Sequence, residues 1–289
     1  MIMDRNFNTI SPSAKSLLLL KGFTNIPFAR EAAGLLTYPE PYRPDFEIKD
    51  IKFWAKITHF ESRYWSIDQL LSGIPVKNIL ELSSGFSFRG LEMIKRNGFH
   101  YIDTDLPEVI ALKKNFINGL WNDDCNTGSI LETLPLNALN EEEFNEIVSR
   151  FPKGEIVIVN EGLLMYLDNS EKEKLCKIIH NILKVRGGFW ITADIYTKNI
   201  REDLNIAADE KQKQFFKHHN IEGNKFDSFE AAGLFFNNQG FAIDKEAHSD
   251  PAKLSSLKYL LRNTEKEELI KIRSRNKIRL TWRLSVLNK

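Results

Sequence analysis

The sequence is poor in cysteine, in long apolar runs and in net charge, and each shortage excludes a class of protein. Two cysteines among 289 residues are too few for a disulfide framework and are typical of a reducing compartment. The longest early apolar run is four leucines at residues 17–20, far short of a signal-peptide core or a membrane span. Forty basic and thirty-nine acidic residues leave a net charge of +1, which indicates neither nucleic acid nor an anionic membrane as a partner. We therefore expect a cytoplasmic protein with a small substrate; nothing in the composition predicts its oligomeric state.

The first strand-like segment also lacks the glycines of a dinucleotide-binding loop. Residues 79–90 read ILELSSGFSFRG, and a second short strand ending at Asp105 follows about twenty residues later, which is typical of a nucleotide-binding β-turn-α-β unit. The three glycine positions of G-x-G-x-x-G hold Ser83, Gly85 and Phe88, so no pyrophosphate cradle is expected. One close-approach glycine and one acid suit a cofactor with a ribose but no phosphates. This pattern favours S-adenosylmethionine over NAD.

Apolar strand-like runs alternate with helical stretches from residue 76 onward. The predicted strands lie near residues 76–82, 99–104, 154–160 and 186–193, with a weaker one near 128–131 and two final strands near 240–243 and 278–287. This alternation predicts an α/β fold with a Rossmann-like, doubly wound seven-stranded sheet and an antiparallel end strand. We expect one domain over residues 1–289, divided into a helical N-terminal cap (1–75), a cofactor-binding core (76–195), a lid-like insertion (196–238) and the terminal strands (239–289).

Polar side chains follow three of the predicted parallel strands. Ligands of open α/β sheets bind beyond the carboxyl ends of the strands, so these residues are the candidates for a site. The first strand is followed by Ser83 and Gly85, the second by Asp105, and the third by Glu161. Carboxylates at such ends are costly unless a ligand satisfies them, and ribose hydroxyls, an ammonium or a sulfonium would do so.

The segment after the third of these strands carries a family resemblance. Residues 161–167, EGLLMYL, resemble the corresponding motif of the leucine carboxyl methyltransferase family, which includes bacterial polyketide O-methyltransferase relatives. Residues 101–107, YIDTDLP, resemble the second-strand signature of that family, and the resemblance reaches from the N-terminal helix to Trp282. It implies the seven-stranded methyltransferase fold and an S-adenosylmethionine-dependent O-methyltransferase that acts on a carboxylate or hydroxyl of a small molecule, or on an exposed carboxyl group.

The resemblance implies roles for individual residues. Lys15 and Arg63 stand where family members place basic residues on the methionine carboxylate, and the planar fork of an arginine suits a carboxylate. Asp105 corresponds to the residue that holds the ribose. Glu161 would contact the methionine amino group or the pocket floor beside it.

Two positions depart from the pattern of the family. Ser83 replaces the first glycine of the loop whose other member, Gly85, is kept, and both would line the methionine part of the cofactor. The Asp-Leu pair expected near the adenine is absent, and residues 129–132 occupy that stretch. Glu132 is the candidate for the adenine edge.

Simpler structural interpretations exist for the same residues. Asp105 could cap the helix that follows it, and Glu161 could interact with a helix dipole. Arg63 could pair with Glu61 or Asp68 on a helix surface. A binding role is the hypothesis that accounts for all three together.

The reaction constrains the catalytic residues only weakly. Methyl transfer from a sulfonium is an in-line displacement, so positioning and exclusion of water do most of the work. A carboxylate acceptor is already ionised and needs no general base, whereas a hydroxyl acceptor would need one from Glu161, Tyr166, His59 or the insertion. Tyr166 is therefore a catalytic candidate. The adjacent His218 and His219 lack a third ligand at metal spacing, so we predict no metal site.

The insertion contains four phenylalanines, which suit either an apolar lid or a small core of the insertion itself; they are Phe215, Phe216, Phe235 and Phe236.

The sequence also leaves two alternative functions open. The first alternative function is an NAD-dependent oxidoreductase, which the missing glycines disfavour. The second is a non-catalytic binding or scaffold module of methyltransferase fold, which the serine at position 83 would permit.

Overall fold

One sheet of seven strands forms the centre of the molecule. The computed structural model describes residues 11–36, 49–121, 127–198, 210–265 and 278–287. The strands are β1 (Asn78–Leu82), β2 (His100–Asp105), β3 (Ile130–Pro135), β4 (Ile156–Asn160), β5 (Gly188–Tyr196), β6 (Phe241–Glu246) and β7 (Arg279–Val286). Their order is β3-β2-β1-β4-β5-β7-β6. β1 to β5 pair in parallel, and β7 runs antiparallel to β5 and β6. The predicted fold class is confirmed, and the last strand of the chain is inserted beside β5 rather than added at the edge.

The burial of each strand explains how clearly the sequence predicts it. Every residue of β1 and β4 is buried, as their apolar runs suggest. Within β4, Ile156 and Ile158 pack in the core on one face of the sheet, and Val157 and Val159 in the core on the other. The weak strand near 128–131 is β3, an edge strand whose first residue, Ile130, is 52% exposed.

Helices cover both faces of this sheet. They are α1 (Ser11–Lys21), α2 (Ala29–Leu35), α3 (Ile51–Leu71), α4 (Arg89–Met93), α5 (Pro107–Leu120), α6 (Glu141–Ser149), α7 (Asn169–Arg186), α8 (Glu210–His218), α9 (Phe229–Asn238) and α10 (Leu257–Arg262). Asp168 and Glu171 form a capping box at the start of α7, and the helix ends at Gly187, where φ is 75°. No described helix is long and apolar enough to cross a membrane.

The N-terminal helices are joined to the C-terminal half of the chain by a buried carboxylate. Glu61 of α3 is fully buried and accepts four hydrogen bonds, from the backbone N–H and the hydroxyl of both Ser255 and Ser256. α3 also packs against β5 and β7. The cap (α1–α3) therefore lies against the sheet rather than apart from it. α8 and α9 lie between β5 and β6, where an insertion is predicted; residues 199–209 of it are outside the described ranges, and the domain boundaries stay predictions.

Candidate functional site

The loop after β1 brings the backbone to the carboxyl edge of the sheet. Ser83 and Gly85 both have left-handed backbone, with φ of 48° and 50°. Glycine adopts this conformation freely, whereas serine is strained in it. A Cβ added to Gly85 would lie 3.6 Å from Cβ of Ala14, so α1 passes directly over the loop. The serine at position 83 thus keeps a turn of the kind glycine favours.

Asp105 closes this loop from the end of β2. Its Oδ2 accepts the backbone N–H of Gly85 at 2.7 Å, and its Oδ1 accepts that of Leu106 at 2.7 Å. Burial raises the pKa of Asp105, and the two N–H groups oppose that rise. An ionised carboxylate has about four lone-pair positions, so about two stay available to a ligand. The simple interpretation as a helix cap is wrong, because the N-cap residue of α5 is Leu106 and has no side-chain cap bond.

A buried lysine supports the same loop from below. Nζ of Lys113, on α5, lies 2.8 Å from Oγ of Ser84 and 3.0 Å from Oδ1 of Asp103. Both members of this ion pair are buried, with side chains at most 1% exposed. Burial raises the pKa of Asp103 to about 7, against the opposing charge of Lys113. Lys113 therefore couples the loop after β1 to β2 and α5.

Glu161, directly after β4, is the centre of a second group. Its side chain is 4% exposed. Three cations surround the carboxylate: Nζ of Lys21 at 2.6 Å, Nε of Arg63 at 3.1 Å and Nη2 of Arg89 at 3.4 Å. Burial alone would raise the pKa of Glu161, but the three positive charges hold that pKa well below its ordinary range. The helix-dipole interpretation is wrong, because only a three-residue 3₁₀ turn follows, at Leu164–Tyr166.

Arg89 extends this network into the sheet. Its Nη1 lies 2.5 Å from Oε1 of Glu81 in β1, and its Nε lies 2.7 Å from Oδ1 of Asp68 in α3. Oε2 of Glu81 accepts the hydroxyl of Tyr101 at 2.7 Å. Asp68 is therefore the partner of Arg89, and Glu61 is bound by Ser255 and Ser256, so the simpler interpretation that Arg63 pairs with one of these acids is wrong. The network joins α3, α4, β1 and β2 under the site.

Two of the predicted residues take no part in the described ion pairs of this group. Lys15 is half-buried on α1 and forms no ion pair within the described ranges; Lys21, at the end of the same helix, contacts Glu161 instead. Glu132 lies three residues before the end of β3, opposite Ile102, and its carboxylate binds Arg150 and His100. The structure therefore does not bring Glu132 to the carboxyl edge beside Asp105 and Glu161, whereas the role of Lys15 stays a prediction.

Asp194, on β5, positions the segment that follows Glu161. Its oxygens accept the backbone N–H groups of Gly162 at 2.7 Å, Leu163 at 2.7 Å and Leu164 at 3.2 Å. These three backbone donors, with the side-chain amide of Asn160 at 2.7 Å, fix the direction in which the chain leaves β4. Sequence reasoning missed this residue, although an aspartate in a run of buried strand residues was an available signal. Lys21, Glu81 and Arg89 were missed in the same way.

Tyr166 faces the cap and the insertion. Its hydroxyl is 3.3 Å from Oγ of Ser13, and burial raises its pKa, so the phenol stays protonated at neutral pH. Its ring lies 6.4 Å from that of Phe215 and 6.2 Å from that of His219. Phe236, by contrast, is 1% exposed and packs against Trp190 of the sheet. Of the predicted lid residues, Phe215 is therefore near the site and Phe236 belongs to the core.

A third group adjoins the outer side of Arg63. Nη1 of Arg63 lies 3.5 Å from the hydroxyl of Tyr196, which lies 2.8 Å from Nε2 of His59. Burial, with the nearby charges of Arg279 and Arg63, lowers the pKa of His59 to about 3. The imidazole is therefore neutral at physiological pH. Among the described residues, no group of three His, Cys, Asp or Glu side chains has the arrangement of a metal site.

Comparisons with known proteins concern the fold. No protein-family model matches the sequence, and no curated protein matches it. LepI in complex with SAM is similar at 10% identity with a TM-score of 0.45, over 76% of this chain and 46% of that chain. The mitomycin 7-O-methyltransferase is similar at 10% identity with a TM-score of 0.46, over 81% of this chain and 60% of that chain. Magnesium protoporphyrin IX methyltransferase from Synechocystis PCC 6803 with bound SAH is similar at 9% identity with a TM-score of 0.48, over 86% of this chain and 90% of that chain. The chain thus spans about half of the first and three fifths of the second. Two of the three are named methyltransferases, and two contain SAM or SAH.

Proposed function

We propose that this protein is an S-adenosylmethionine-dependent O-methyltransferase related to the leucine carboxyl methyltransferases. It would transfer the methyl group to a carboxylate or hydroxyl of a small molecule, or to an exposed carboxyl group. The observation that carries the proposal is the pairing of two groups at one edge of the sheet: Asp105 with the Gly85 loop, and Glu161 with its cations. S-adenosylmethionine needs both groups, because its ribose requires an acid such as Asp105 and its amino-acid part requires charged partners of both signs.

The residues present fit S-adenosylmethionine part by part. The lone pairs that Asp105 retains would accept the ribose hydroxyls, and the left-handed loop at Ser83 and Gly85 would line the methionine chain. Lys21 and Arg63 would bind the methionine carboxylate, and Glu161 would bind its ammonium group. Within the protein these three already form a salt bridge, so an incoming zwitterion would exchange ionic partners without leaving a buried charge unpaired.

The chemistry that follows is mainly one of positioning. The bound cofactor supplies an electrophilic methyl group, and the protein must align the acceptor with it and exclude water. A carboxylate acceptor needs no base, which agrees with a protonated Tyr166. A hydroxyl acceptor would need a base, and His59 beside Tyr196 would be a weak one, because burial lowers its pKa to about 3. A dinucleotide is disfavoured, because α4 has only five residues and its first residue, Arg89, already pairs with three acids.

Calorimetric titration with S-adenosylmethionine tests the cofactor assignment. We expect Asp105→Ala to weaken binding at least about 10-fold, since two hydrogen bonds to a charged group are lost. Glu132→Ala removes an acid from the neighbouring strand and serves as the matched control, with affinity within about twofold of the wild type. Unimpaired binding by Asp105→Ala would contradict the site, and thermal unfolding of both variants checks that they are folded.

Two further measurements separate this function from its alternatives. Wild-type protein that binds NADH in a fluorescence titration, and not S-adenosylmethionine, would be an oxidoreductase. Protein that binds S-adenosylmethionine but transfers no radiolabelled methyl group to a panel of carboxylates and phenols would be a binding module. Transfer to any member of the panel supports the enzyme and identifies the class of acceptor.

A further inference from the structure

Arg279 lies at the same edge of the sheet as the proposed cofactor site. It is the first residue of β7 and pairs with Tyr196, the last residue of β5. Cross-strand partners place their side chains on the same face of a sheet. The hydroxyl of Tyr196 contacts His59 and Arg63 of α3, so Arg279 shares the face that α3 covers.

The guanidinium of Arg279 uses only some of its hydrogen-bond donors within the described part of the chain. Its Nη1 donates to the carbonyl oxygen of Ala193 at 3.3 Å and to Oγ1 of Thr281 at 2.5 Å. A guanidinium has five N–H donors, and those on Nε and Nη2 have no partner among the residues that the structure describes. Nε and Nη2 form the side of the fork that binds a carboxylate through two parallel hydrogen bonds.

Among the described residues, no acid near Arg279 is free to neutralise this cation. Burial, with the like charge of Arg63, lowers the pKa of Arg279, while Asp194 and Glu161 partly offset the effect. Neither acid is available as a partner. Asp194 accepts three backbone N–H groups, and Glu161 is held by its own three cations. Arg279 is thus a partly buried positive charge without a carboxylate partner in the described ranges.

We propose that Arg279, with His59 and Tyr196, is an anion-binding subsite that holds the methyl acceptor by a carboxylate. The acceptor is then a small organic acid, bound through the Nε and Nη2 edge of Arg279. The proposal rests on the proposed methyltransferase function and deepens it, because it assigns the acceptor a charge and a place between α3, β5 and β7. His59 contributes no like charge at this position, and both His59 and Arg279 are half-buried, so a ligand can reach them.

The test uses three acids and their neutral counterparts as probes. Acetate, benzoate and hexanoate are titrated into full-length protein saturated with S-adenosylhomocysteine, and each is compared with its amide. Binding is followed by the NMR signal of the His59 imidazole, assigned with His59→Gln. We expect saturable shifts by at least one acid, at an affinity at least about 10-fold higher than that of its amide, because only the acid pairs with the guanidinium.

Substitutions on β7 determine whether Arg279 causes the preference. Arg279→Met should abolish the preference for the acid, and Arg279→Lys should keep a smaller one, since lysine preserves the charge without the fork. Arg283→Met is the matched control: it removes one positive charge from the same strand, where Arg283 pairs with Asp244, and should leave the preference unchanged. Equal binding of acids and amides, no shift with any acid, or a preference that survives Arg279→Met would overturn the proposal.

The cofactor affinity separates this inference from the proposed function. Arg279→Met should bind S-adenosylmethionine within about twofold of the wild type. A loss of cofactor binding would instead assign Arg279 to the methionine carboxylate and overturn its role toward the acceptor. Wild-type protein that binds the acids but no S-adenosylmethionine would keep the anion subsite, and would overturn both the methyltransferase function and the acceptor role that rests on it.

Discussion

The two halves of the carboxyl edge are built in different ways. In the β1–β2 half, Gly85 and Asp105 are 20 residues apart in the chain, and a backbone N–H joins them directly. In the β4–β5 half, Glu161 meets Lys21 and Arg63 across 140 and 98 residues. The first half depends on backbone conformation close to one turn. The second depends on buried charges that are brought together only when the cap packs on the sheet.

This difference has an energetic consequence. Backbone hydrogen bonds to Asp105 satisfy it at a modest net gain per bond. The buried ions around Glu161 must each lose their hydration, and they are tolerated because every charge has a partner. Removal of one partner should therefore be far more harmful in the β4–β5 half than a comparable change in the β1–β2 half.

The largest expected effect follows from Glu161→Gln. Lys21, Arg63 and Arg89 would lose their shared anion, and we expect a loss of about 3–5 kcal/mol in the free energy of unfolding, measured by urea denaturation. Glu92→Gln is the control, since Glu92 has an ion pair with Lys95 at the surface, and should cost under about 0.5 kcal/mol. Similar small losses in both variants would contradict the importance of the network.

The same substitution has a pH signature. The pKa of Glu161 is lower in the folded than in the unfolded protein, so its contribution is present above about pH 4.5 and is lost as the pH falls further. Wild-type protein should therefore lose stability more steeply than Glu161→Gln below about pH 4.5. Parallel pH profiles of the two proteins would count against the assignment.

Lys113→Met is the strongest change expected in the β1–β2 half. It leaves Asp103 without its cation and Ser84 without its donor, and we expect a loss of about 2–3 kcal/mol in urea denaturation together with weaker binding of S-adenosylmethionine. Lys114→Met, at the exposed neighbouring position, should be within about 0.5 kcal/mol of the wild type. Unchanged cofactor affinity in Lys113→Met would show that the loop does not depend on this support.

His59→Gln gives a smaller, pH-dependent effect in the β4–β5 half. The folded pKa of His59, about 3, is below the unfolded value, so its contribution is present above about pH 6.5 and is lost as the pH falls toward 3. Glutamine can keep a hydrogen bond to Tyr196 but does not titrate. Between pH 6 and 4 we expect the stability of the wild type to fall more steeply than that of the variant, by up to about 1.4 kcal/mol per pH unit. Identical slopes would mean that His59 is protonated in the folded protein.

The smallest expected effect is a gain from Ser83→Gly. The serine has a φ of 48°, so glycine should relieve backbone strain and raise the free energy of unfolding by about 0.5–1 kcal/mol. Ser84→Gly should instead lower the free energy of unfolding, because Ser84 is not in the left-handed region and accepts a hydrogen bond from Lys113. A loss of stability in Ser83→Gly would indicate that the serine side chain itself stabilises the loop.

The sequence allowed the β1–β2 half of the site to be predicted more fully than the other. Gly85 and Asp105 belong to one β-turn-α-β unit, and a pattern of that length is readable without knowledge of the fold. Glu161 was recognisable from the motif around it, and Arg63 from the resemblance. The ion pair of Glu161 with Lys21 was not predicted, because which residues of α1 face Glu161 depends on how the helix packs.

The sequence by itself determined the alternation of strands and helices, the loop of small residues after β1 and the acid at the end of β2, since all of these can be recognised from local periodicity and spacing. Only the tertiary structure decided the insertion of β7 between β5 and β6 and the meeting of Arg89 with Glu81 and Asp68. It also decided that Arg279 forms no ion pair with an acid in the part of the chain that the structure describes. Long-range ion pairs carry no periodic signal in the chain, because their partners are chosen by packing between distant elements.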